Sequence, residues 1–102
     1  MIVRFSIDSA DLADSGGSGH SGEYAYRVSH EGETLFSDDG LSSIEACIVA
    51  ATEGLGSEAA GAEIAYRGII SGTYPLATLA LASAQLAEHA LNTTTAMEEV
   101  LF

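Results

Sequence analysis

Between Ile2 and Asp8 the chain alternates, with Val3, Phe5 and Ile7 on one side and Arg4, Ser6 and Asp8 on the other. A period of two predicts a strand with one apolar face. Glu23–Ser29 and Glu33–Phe36 flank His30-Glu31-Gly32 and predict a short hairpin, with Gly32 free to take a positive φ. Ser37-Asp38-Asp39-Gly40 reads as a turn that brings negative charge to the start of the next element. From there the period changes. Leu41, Ile44, Ile48, Ala51 and Leu55 recur at spacings of three and four, which predicts a central helix over 41–55. Ser42-Ser43-Ile44-Glu45 contains an S-x-x-E start: Ser42 can accept from a free backbone N–H, and Glu45 can reach back to the cap. Gly54 and Gly56 supply the stop.

After a loop at Ser57–Gly61, Ala62–Ile70 predicts a fourth strand whose apolar end, Ile69-Ile70, suits burial on both faces. Thr73 and Pro75 read as the cap and first residue of a second helix over 76–91, with Leu76, Leu79, Ser83, Leu86 and Ala90 on one face. Asn92 is a reasonable stop. Residues 93–102 read as an apolar tail ending in Val100-Leu101-Phe102, docked within the domain or across a dimer. The expected architecture is one α+β (α/β-like) domain over 1–102. Its mixed sheet has about four strands with two helices, in the order β-β-β-α-β-α. Ser9–Gly22, rich in Gly, Ser and Asp, is a flexible connection (loop 9–22).

Charge changes the picture most. Fifteen carboxylates face three arginines and no lysine, a formal net charge of −12. Such a surface repels phosphate backbones, so direct nucleic-acid binding is disfavoured. It favours a basic protein partner, at a rate that falls with salt. Solubility, or a high-salt environment, would account for the same acidity. No apolar run approaches the ~18 residues needed to span a bilayer. The first residues lack the charged and apolar regions of a signal peptide, which suits a cytoplasmic setting. The single cysteine, Cys47, has no partner for a disulfide and falls within the predicted helix, where it acts as a small packing residue.

Candidate chemistry is sparse. Gly17-Ser18-Gly19-His20-Ser21-Gly22 is formally G-x-G-x-x-G. Dinucleotide binding requires a helix to follow, whereas Glu23–Val28 reads as strand, so the segment is a connection. His20, His30 and His89 lack metal-ligand spacing, and no serine stands in a nucleophile-elbow context.

The order of elements resembles the ribonuclease H family. Phe5-Ser6-Ile7-Asp8-Ser9 is similar to that family's first strand, which ends in a catalytic Asp. Ile44–Ala51 is similar to its first helix, with a catalytic Glu, here Glu45, in the opening turn. Gly16–Gly22 stands where the family has a Gly-rich link. The resemblance covers roughly residues 1–90. It implies Asp8 and Glu45 as catalytic and metal-holding residues, with Mg²⁺ or Mn²⁺ as cofactor. The family's third carboxylate would fall at Ala65-Tyr66-Arg67-Gly68, where Arg67 or a neighbour replaces it. The family's last strand and helix have no counterpart in the predicted elements. Two-metal hydrolysis needs several carboxylates to hold ions ~3.5–4 Å apart, more than Asp8 and Glu45 provide. A capping box accounts for Glu45, and a strand-end turn accounts for Asp8.

Three expectations follow. The first is a non-catalytic acidic protein-binding domain without cofactor, on a trimmed ribonuclease-H-like scaffold, comparable in size and charge to inhibitor, immunity and phage anti-defence proteins. It would engage a basic partner through carboxylates such as Asp38, Asp39 and Glu53. The alternative is a metal-dependent nuclease, or a degenerate subunit of one, using Asp8 and Glu45. The third is a homodimer formed through strand 62–70, left as an open edge, or through the C-terminal tail.

Overall fold

The computed structural model describes residues 1–9, 23–56 and 58–101. Five strands and three helices follow one another as β1 (Ile2–Ser9), β2 (Tyr24–His30), β3 (Glu33–Leu41), α1 (Ile44–Glu53), β4 (Gly61–Tyr66), β5 (Ile69–Pro75), α2 (Leu76–Leu81) and α3 (Ser83–Leu101). They build the expected α+β class around a mixed sheet of order β3-β2-β1-β4-β5. β1 is central, antiparallel to β2 and parallel to β4. A parallel pair cannot be joined by a tight turn, and the segment carrying α1 makes the crossover.

The alternation in β1 decides which face is buried. Val3, Phe5 and Ile7 are almost fully enclosed. Their cross-strand partners Val28 and Tyr26 in β2, and Ala62, Ile64 and Tyr66 in β4, share that face because directly paired residues do. Ile44, Cys47, Ile48 and Ala51 of α1, Leu79 of α2, and Leu86, Ala87 and Ala90 of α3 complete the same cluster. The helices therefore form one layer on one side of the sheet. Arg4, Ser6, Asp8 and Arg27 project from the other side, which no described helix covers.

Several predicted boundaries move, each for an identifiable reason. Ala62–Ile70 is two strands, since Arg67 (φ 54) and Gly68 (φ 84) make a tight left-handed turn between β4 and β5. Within the 62–70 segment β4 is therefore no open edge, being flanked by β1 and β5, whereas Ile69 and Ile70 begin a fifth strand that ends the sheet among the described strands. Gly72-Thr73-Tyr74 lies in β5, so Thr73 caps nothing, and Pro75 closes the strand immediately before Leu76 begins α2. The second helix is interrupted at Ala82 (φ −123). Its longer part, α3, absorbs most of the supposed tail as regular helix. Thr94 fixes that end: its buried hydroxyl donates to the Tyr66 carbonyl at 3.1 Å, worth about 1 kcal/mol net. Arg67 pairs with Glu98 across the same junction at 3.3 Å.

β3 runs through the supposed turn to Leu41. Tyr26 faces Asp38 and Tyr24 faces Leu41, and the one extra residue is taken up by a bulge that includes Gly40 (φ 76). The N-cap of α1 is Ser43, one residue later than the predicted Ser42, with its Oγ accepting from the Ala46 N–H at 3.0 Å. Ala46 thus occupies the position a capping-box glutamate would need, and Glu45 stands in the first turn, where the helix dipole favours a carboxylate.

Candidate functional site

Two surfaces concentrate the polar chemistry. The first is the uncovered sheet face. Arg4 in β1 lies between Ser29 of β2 and Glu63 of β4, and Arg27 pairs across from Ser6. These residues, with His30, Glu31, Thr34 and Thr73, line a shallow cleft of about 450 Å³. Arg4 Nε reaches Glu63 Oε1 at 2.6 Å, but both side chains remain partly exposed, so the pair contributes under about 1 kcal/mol. Asp8 opens onto the neighbouring depression, about 170 Å³, which it shares with Ser6, Ala25 and Arg27.

The second surface is the edge formed by β3, which among the described strands pairs with β2 alone. Glu31 in the turn before it, and Glu33, Asp38 and Asp39 along it, are all exposed. Asp38 Oδ1 accepts from the Asp39 N–H at 2.8 Å, which orders this pair of adjacent carboxylates. Asp38 lies opposite Tyr26, a core-facing residue, so its charge is felt inside the domain. Glu53 ends α1, and the next residue, Gly54, sits directly against the ring of Phe36 in β3. The C-terminal end of α1 therefore adjoins the acidic strand, and Asp38, Asp39 and Glu53 belong to one side of the molecule.

The residues singled out for metal chemistry fall differently. Asp8 and Glu45 lie toward the same end of the sheet, because Ser9 pairs with Tyr24 and Tyr24 with Leu41. Asp8, however, projects from the uncovered face, whereas Glu45 is exposed on the helix layer. The sheet separates them. Arg67, expected where a third carboxylate would stand, is in the β4–β5 turn. Its N–H donates to the Ile7 carbonyl at 2.9 Å and its guanidinium turns to Glu98. Among the described residues, no three His, Cys, Asp or Glu side chains converge as a metal-ion site. His30 lines the open-face cleft and His89 is exposed on α3. The glycine-rich segment and His20 lie outside the described residues.

Cys47 is fully buried within the core cluster, as a packing residue should be. Burial pushes its thiol up to about 11, and the nearby Asp38 carboxylate adds to the effect. Burial, Asp38 and Cys47 raise the Tyr26 phenol in the same direction. The folded state thus keeps the thiol proton to higher pH than the unfolded chain does. Stability is fully present below the ordinary thiol pKa of about 8.5–9 and falls as pH rises toward about 11. Urea titrations across that range should show the decline, and Cys47→Ala should flatten it. At neutral pH the native thiol should resist alkylation that it undergoes readily in urea.

Sequence reasoning missed Glu31 and Glu33 as members of the acidic edge. They flank the Gly32 turn, and once β3 is known to be terminal their exposure follows. No family model, curated protein or solved structure matches this chain. Among the described residues, no helix is long and apolar enough to cross a membrane.

Proposed function

We propose that the chain is a small, non-catalytic, protein-binding domain that engages a basic surface on another protein through the β3 edge and the adjoining end of α1. The observation that carries this is the composition of that edge. A terminal strand offers unpaired backbone N–H and C=O groups, and this one is flanked by Glu31, Glu33, Asp38, Asp39 and Glu53. Adding a strand there supplies main-chain hydrogen bonds, and the carboxylates select for Lys and Arg on the incoming segment. The chain's −12 charge draws such a partner in from a distance and disfavours nucleic acid as its target. The separation of Asp8 from Glu45 by the sheet supports a non-catalytic role, on a scaffold we relate to ribonuclease H by element order. Inhibitors of basic enzymes and immunity proteins work by this kind of acidic contact.

The test is a binding titration of the full chain against an array of extended Lys/Arg-rich peptides. Affinity should drop steeply from low to high salt. In the double variant Asp38→Asn/Asp39→Asn it should fall on the order of tenfold, without loss of thermal stability. Binding that ignores salt, or ignores both substitutions, would rule this function out.

A further inference from the structure

The uncovered sheet face gathers two of the chain's three arginines, Arg4 and Arg27. Arg4 pairs with Glu63, and Arg67, in the β4–β5 turn, with Glu98. Among the described residues no carboxylate pairs with Arg27, in a chain that holds fifteen. Strand register accounts for this. The residues directly across from Arg27 are Ser6 in β1 and Ser37 in β3. Asp38 follows Ser37 but stands opposite Tyr26, whose side chain belongs to the core side. Asp8 opens onto the neighbouring depression.

The same register builds a square. Arg4 lies across from Ser29 and Arg27 across from Ser6, so the two arginines hold one diagonal and the two hydroxyls the other. Diagonal neighbours on a strand pair stand about 7–8 Å apart, within reach of long side chains. The short serines leave room between the arginines, and all four residues line the cleft of about 450 Å³. An oxyanion placed there meets guanidinium N–H donors from two sides and hydroxyl donors from the other two. Charge narrows the choice. Glu31 and Glu63 line the same cleft, Asp8 stands beside Arg27, and the whole chain carries −12. These groups oppose a dianionic phosphate about twice as strongly as a monoanion. A carboxylate carries one charge, and its two oxygens match the planar fork of an arginine. The cleft volume falls within the about 300–1,000 Å³ of small-molecule sites. We infer that the open-face cleft binds a small organic carboxylate, held by Arg27 together with Arg4, Ser6 and Ser29. This site is separate from the acidic β3 edge and does not depend on a basic partner there.

The probe is benzoate, titrated into the isotope-labelled full chain at constant ionic strength and followed by amide chemical shifts. We expect saturable shifts centred on Ser6, Arg27 and Ser29, at millimolar benzoate. Arg27→Gln removes the fork, and Ser6→Leu fills the space beside it. Each should weaken binding by at least about tenfold, the scale of a lost hydrogen bond to a charged group. Arg67→Gln removes the same charge from the β4–β5 turn and should leave the affinity unchanged. Asp8→Asn should tighten binding, since it removes a repelling charge from beside Arg27. Dispersion of the amide spectrum confirms that each variant stays folded. Inorganic phosphate, at the same ionic strength, should bind more weakly than benzoate. Shifts that fail to saturate, or binding that tolerates both Arg27→Gln and Ser6→Leu, would overturn the inference. Phosphate binding tighter than benzoate would overturn the assignment to a carboxylate. The binding of basic peptides to the β3 edge is judged by its own titration, whichever result is found here.

Discussion

Phe5→Ala should lower the free energy of unfolding by about 3–5 kcal/mol, the range for emptying a fully buried aromatic site. Phe5 is 0 % exposed and stands in the middle strand, paired to Val28 on one side and Ile64 on the other, each also fully buried. Its ring therefore belongs to the part of the core where the sheet has neighbours on both sides. β-strand partners are held by ladder hydrogen bonds and move inward poorly, so the cavity relaxes little. Small domains have total stabilities of about 5–15 kcal/mol, and this one substitution removes a large share. Urea denaturation followed by far-UV circular dichroism measures it. A loss below about 1 kcal/mol would mean that the core is looser than the burial of these side chains requires.

Gly61→Ala should be the second severe change, for the opposite reason. Gly61 begins β4 between Ile2 of β1 and Pro75 of β5. A Cβ placed there overlaps the carbonyl oxygen of Tyr74 and meets the Cα of Pro75 at 3.1 Å. Both obstacles are backbone, so relief requires the β4–β5 pair to spread rather than a side chain to rotate. Overpacking of this kind costs typically up to about 3 kcal/mol, and backbone obstruction belongs at the upper end. Gly56→Ala is the matched control: nothing lies within 4 Å of its would-be Cβ. It should change stability by less than about 0.5 kcal/mol. Equal effects from the two substitutions would remove the close β4–β5 approach as the cause.

Much of the fold was legible because its periods are clean. The two-residue alternation of Val3, Phe5 and Ile7 identifies the buried face of the central strand, and the helical spacing of Ile44, Ile48 and Ala51 identifies the buried face of α1. The turn between β4 and β5 was hidden because Arg67, a residue not associated with positive φ, occupies its first left-handed position. Only Gly68 marks it, inside a run apolar enough to read as one strand. The same error made β5 look like a helix cap, since Thr73 and Pro75 suit either setting. Tertiary pairing, not local propensity, decided there. At the candidate site, the acidity of Asp38, Asp39 and Glu53 was plain, but their gathering on one side depends on β3 being terminal. That is a property of strand order, which no local pattern encodes. Asp8 and Glu45 had the right residue types in the right elements, yet the pleat sends Asp8 to the face away from α1.

The central place of β1 also has a temporal consequence. The β2–β3 and β4–β5 pairs are hairpins that close from nearby residues, an event of about 1–10 µs in isolation. β1 joins the two hairpins, and its contact with β4 links residues 59 positions apart, as in Arg4 and Glu63. During synthesis β1, made before its partners, can pair with β2, but the other side of its ladder stays vacant until the ribosome has released residues 61–66. Until then the apolar row Val3, Phe5 and Ile7 lacks much of its final cover. The strand made before all its partners is thus among the last to be sealed.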